Sequence, residues 1–102
     1  MATTVNRFRA GTAGTTDAGT TPVTSGNTGI ITNIILSNKT GSTRTVTILV
    51  GGFSFCTGLQ VPGNGTVNFD TRTVILPTES LVVTSDAAAS VDFLISGVIV
   101  SN

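Results

Sequence analysis

Turn signals interrupt this chain at intervals of about ten residues, and between them apolar residues alternate with polar ones. In TRTVTILVGG, Val46, Ile48 and Val50 fall on one side and Thr45 and Thr47 on the other, the two-residue period of a half-buried strand. PGNG at 62–65 is a turn, since Pro presets φ and Asn and Gly accept φ > 0. DAAAS at 86–90 is a connection, because three alanines cannot nucleate a helix. No segment shows a helical period. Enrichment in Val, Ile, Thr and Phe agrees. The expectation is an all-β chain: an antiparallel β-sandwich, jelly-roll-like, of about seven short strands.

GIITNIILSN places Ile30, Ile34 and Leu36 on one side and Ile31 and Ile35 on the other. A strand apolar on both faces belongs in the middle of a sheet, covered on both sides. With KTGST as the turn, it is expected to form a hairpin with TRTVTILVGG, looped near Asn38–Ser42. Val67 and Phe69 of TVNFDTR point inward. Pro77 sits in an exposed turn ahead of LVVTS. In VDFLISGVIV, Val91, Phe93 and Ile95 share a face, and Gly97 marks a bulge or a close backbone approach.

Residues 1–28 differ in character from 29–102, and the division expected is an extended N-terminal arm followed by the sandwich domain. Between Ala10 and Gly29 there are five Gly, seven Thr and one sizeable hydrophobe, Val23. Alone in water such a segment has almost nothing to bury against its ordering entropy. Neighbouring chains are the expected support, through backbone pairing that Gly and Thr permit. The short alternating piece before it, with Arg7, Phe8 and Arg9, reads as an edge strand or as an arm pairing with another chain. Its arginines then either solubilise the strand or bridge to a carboxylate of a partner.

Composition argues against most chemistry. The chain has no His, Tyr or Trp, and a single cysteine, Cys56. Neither a Ser-His-Asp nor a Cys-His arrangement can be built. A zinc site lacks its ligands. GGFSFCTG has no Lys-Ser/Thr ending and no following helix, so it is no phosphate loop. Cys56 reads as a small packed hydrophobe. Asp17, Asp70, Glu79, Asp86 and Asp92 are scattered and read as solvated turn acids. No cofactor, metal or catalytic residue is expected. Net charge is zero from five basic and five acidic residues, a poor basis for nucleic-acid binding. No apolar run reaches membrane-spanning length, and no secretory signal is read at the start. Asn38-Lys39-Thr40 and Asn64-Gly65-Thr66 fit the glycosylation pattern but read as turns. Near-neutral, Thr/Ser/Asn/Gly-rich surfaces favour association.

Ile30–Asn38, Pro62–Asp70 with its PGNGT turn, Leu81–Thr84 and Val91–Val100 follow one another in an order that resembles small virion structural proteins of tailed bacteriophages. The resemblance covers most of the chain beyond residue 20. It implies a β-sandwich subunit of a phage particle, made in the host cytoplasm, with no catalytic residues. A capsid cement or decoration protein is the first expectation, bridging major capsid protein or other virion proteins and forming a homo-oligomer, a trimer among the candidates. A neck, tail or fibre-base subunit is the alternative. A carbohydrate-binding adhesin module ranks lower, for want of Trp and Tyr. The residues expected to meet a partner are Arg7, Phe8, Arg9, Val23, Ile31 and Ile35. Ile31, Ile35 and Leu49 are the apolar residues whose cover, domain or partner, is left open. On this view, removing residues 2–28 leaves a folded core that no longer binds shells.

Overall fold

A computed structural model describes residues 2–101, and the side chains from residue 3 onward. Seven strands form in the described residues: β1 (Ala2–Ala13), β2 (Asn27–Asn38), β3 (Arg44–Val50), β4 (Phe53–Val61), β5 (Thr66–Ile75), β6 (Leu81–Ser85) and β7 (Val91–Ser101). They make two antiparallel sheets, ordered β1-β7-β2-β5 and β4-β3-β6. The expected all-β sandwich is therefore the fold. Its core draws on both sheets: Ile31, Ile34 and Leu36 of β2, Phe93 and Ile95 of β7, Val46 and Ile48 of β3, Leu81 and Val83 of β6. Alternation along β3, β6 and β7 sends every second side chain inward, as their sequences indicate.

β2 corrects the sequence reading twice. Its register shifts between Ile31 and Asn33 against both neighbours. One extra residue, Thr32, breaks the two-residue period, so Ile31 joins Ile34 and Leu36 in the core while Ile30 and Ile35 face outward. Nor does β2 form a hairpin with β3; the two belong to different sheets. Asn38 makes the corner. Its buried Nδ2 donates to Ser42 O at 2.7 Å and Val61 O at 3.0 Å, and its Oδ1 accepts from Thr40 N at 2.9 Å. The real hairpin is β3–β4, turned by Gly51 and Gly52 at φ 60° and 84°. Two consecutive positive φ values suit a tight turn between twisted strands, and Gly meets them without strain.

Gly97 is a close approach, as its position in the strand implied. A Cβ there would collide with Ile30 O and lie 2.9 Å from Ile30 C. The turn at 62–65 also forms, with Gly65 N donating to Pro62 O at 3.0 Å and Asn64 at φ 56°.

The N-terminal segment does not project as an arm. β1 runs antiparallel to β7 over its length, so this stretch is a sheet edge of the chain itself. Its register shifts between Arg7 and Arg9, and the extra residue, Phe8, turns into the core. Ala13 and Val23 are buried with it. Segments 3–28 and 29–101 thus share one core, which argues against 29–102 staying folded without 2–28. Its loss would strip Phe8, Ala13 and Val23 from that core and expose β7 as a new edge.

Candidate functional site

A backbone strand edge is a binding site made of N–H and C=O groups, so the edges of the two sheets decide what this molecule can pair with. The edge of β6 is closed from within. Leu81 N donates to Thr20 O at 2.7 Å, and Thr20 N returns to Leu81 O at 3.1 Å. Ser85 N donates to Gly14 O at 2.9 Å. Between them the chain bulges away, and the Asp17 carboxylate fills the gap, its Oδ2 accepting from Val83 N at 2.9 Å. Three alternate N–H groups of β6 are therefore satisfied by residues 14–20. This part of the Gly/Thr stretch is held by its own fold.

Asp17 is itself held by Arg9. The guanidinium meets the carboxylate with both Nη atoms, Nη1 to Oδ2 and Nη2 to Oδ1, the latter at 2.8 Å. Nη1 also donates to Leu81 O at 3.0 Å. Gly19 N donates to Asp17 Oδ1 at 3.0 Å. The guanidinium lies over the Phe93 ring, 5.3 Å from its centre. The Arg9 hydrogen bond, with those from Val83 and Gly19, holds the Asp17 carboxyl well below the usual carboxylate range against the opposing effect of burial. A planar fork on a carboxylate is the geometry at which Arg excels.

The residues expected to meet a partner therefore separate. Phe8, Val23 and Ile31 are buried, so their side chains offer no surface. Phe8 and Val23 converge with Ile75 around Gly29: a Cβ there would lie 3.3 Å from Phe8, 2.7 Å from Val23 and 2.8 Å from Ile75. Arg9 pairs with a carboxylate, but that of its own chain. Arg7 and Ile35 remain on the outward face of the four-stranded sheet, Arg7 exposed and Ile35 half-buried. Leu49 is half-buried on β3.

The other charged residues lie apart. Lys39 Nζ is 3.2 Å from Asp92 Oδ1, which also accepts from Thr12 Oγ1 at 2.7 Å. Hydrogen bonds from Thr12 and then Lys39 lower the Asp92 carboxyl. Glu79 closes a turn by accepting from Leu76 N at 2.7 Å. Half-buried Cys56 packs against the core, and burial pushes its thiol up. Among the described residues no three His, Cys, Asp or Glu side chains gather, and the surface has no enclosed pocket. Asn38, with its amide engaged inside the corner, is closed to glycosylation in the folded chain.

The β4 edge is the feature that sequence reasoning passed over. Nothing among the described residues adds a strand beyond it. Its sequence, FSFCTGLQV, contains no charge and no proline, the residues that usually guard an edge. Phe53 at its start is 78% exposed. The other free edges, β1 and β5, each carry charges: Arg7 and Arg9 on one, Asp70 and Arg72 on the other. Against family models, curated proteins and solved structures alike, the chain finds no match.

Proposed function

We propose that this chain is a non-enzymatic structural subunit of a phage particle, a capsid cement or decoration protein that joins neighbouring shell subunits. The open, uncharged β4 edge carries the reading. A strand of a shell protein added there would pair the outward N–H and C=O groups of β4, with Phe53 as an apolar contact at one end. The two register shifts between β3 and β4 twist the edge, which favours a matched partner over unlimited stacking. Binding only to the assembled shell stabilises that shell by mass action. The bridging is done by the sandwich's edges, since residues 14–20 are committed to β6.

Counting the protein in purified particles tests the reading. Many copies per particle, with shells that fall apart at lower temperature when the gene is deleted, are expected. A small copy number fixed by tail symmetry would move the protein to the neck or tail. Absence from particles would overturn the virion reading.

A further inference from the structure

The register of the four-stranded sheet arranges its outward side chains in rows. Val5, Val98, Ile30 and Val74 stand abreast across β1, β7, β2 and β5. Two steps along, the row is Arg7, Ser96, Asn33 and Asp70; the next is Ala10, Leu94, Ile35 and Asn68. Two apolar rows thus flank a polar one. Val5 is 82% exposed and Val74 53%, while Val98, Ile30, Leu94 and Ile35 are half-buried. β2 and β7 are the central strands of this sheet, and their aliphatic character on both faces is that of strands covered on both sides. Only the inner side is covered by the other sheet.

The polar row carries charges of opposite sign at its two ends. Among the described residues neither Arg7 nor Asp70 has an ion pair, and Asp70 accepts from Asn33 Nδ2 at 3.0 Å. Three strand spacings, about 14 Å, separate them. They are too far apart to meet in one molecule.

We infer that this face is a two-fold interface with a second copy of the chain. An axis running along the strands, between β7 and β2, turns each row onto itself in reverse. Arg7 then faces Asp70 of the second copy, and Asp70 faces its Arg7. Val98 meets Ile30, and Val5 meets Val74. Such self-complementarity is what a two-fold contact requires. Sheets so packed cross at about 30°, which keeps Leu94, Ile35, Val98 and Ile30 at the centre and the ion pairs at the rim. Four strands and about nine rows give a face of about 19 by 30 Å, about 600 Å² per copy. That is the low end for a specific interface. Two like-charge approaches oppose the pairing: Arg72, exposed beside Asp70, comes near Arg7 of the second copy, and the next row, Thr12, Asp92, Ser37 and Thr66, brings the two Asp92 carboxylates near the axis, each partly neutralised by Lys39 of its own chain at 3.2 Å. A three-fold contact is heterologous and does not lay a face on itself, so this pair is distinct from the trimer that the resemblance suggests. The pairing is independent of the virion reading and leaves β4 free.

Sedimentation equilibrium of the full chain at low ionic strength tests it. The wild type is expected to approach twice its 10.3 kDa mass as concentration rises. Arg7→Asp and Asp70→Arg each place like charges face to face and should weaken the dimer about tenfold or more. The double variant restores opposite charges and should return to within about threefold of wild type. Arg72→Gln should tighten it. Circular dichroism checks that these surface variants stay folded. A wild type that remains monomeric or forms trimers, single variants that dimerise like wild type, or a double variant no better than the singles would overturn the inference.

Discussion

The two edges of the three-stranded sheet are treated in opposite ways. At β6 the chain folds back residues 14–20, supplies two backbone carbonyls and one carboxylate to three N–H groups, and fixes the carboxylate with Arg9. At β4 it leaves a nine-residue strand without charge, proline or cover. Both edges present the same backbone groups. What differs is the neighbour: a sealed edge offers a partner nothing, while an open one offers a template. The chain seals one edge fully and leaves the other bare, and the bare one is where the proposed function places a partner strand.

The contrast breaks most completely when the seal is removed. Deleting residues 2–28 is expected to abolish cooperative unfolding, read by far-ultraviolet circular dichroism and calorimetry, because β1 and three core side chains go with the seal. Asp17→Ala acts locally. It leaves Arg9 without its carboxylate and the Val83 and Gly19 N–H groups without their acceptor, for a loss of about 3 kcal/mol in urea unfolding. Acid weakens the same contact. The Asp17 carboxyl is lowered in the folded state, so its contribution is full above the unfolded-state value of about 4 and is lost as pH falls below that. Wild-type stability should drop below about pH 4, and Asp17→Asn should flatten most of that limb. Asp92, also lowered but about half exposed, contributes the smaller part. Arg9→Lys keeps the charge but loses the fork and the stacking on Phe93, at about 1–2 kcal/mol. Thr57→Lys, on the open edge, should change stability by less than about 0.5 kcal/mol yet abolish incorporation into particles.

Strands were legible because alternation is a local property. Val46, Ile48 and Val50, or Val91, Phe93 and Ile95, state their inward face without reference to anything else. Pairing is not local. Gly51-Gly52 is a two-residue hairpin signal of the kind that joins β3 to β4, whereas KTGST, which looks like a turn between β2 and β3, is a corner between sheets built on the buried Asn38 amide. Thr32 and Phe8 each add one residue to a strand, and one extra residue reverses every later assignment of face. That is why Ile31 and Phe8 appeared available to a partner and are core. The Arg9–Asp17 pair spans a bulge and a loop, so spacing does not reveal it. Its one sequence signal is a lone acid in an otherwise uncharged Gly/Thr stretch. The outward rows of the large sheet were invisible for the same reason: they are made by register among four strands.

Hydrogen exchange on the free chain and on particles that incorporate it bears most directly on the two edges. In the free chain, Leu81, Val83 and Ser85 amides should exchange slowly, while the β4 amides pointing away from β3 exchange fast. In particles those β4 amides should become protected and β6 should not change. Unchanged β4 exchange in particles would contradict the account, and fast exchange at Val83 in the free chain would remove the seal on which the contrast rests.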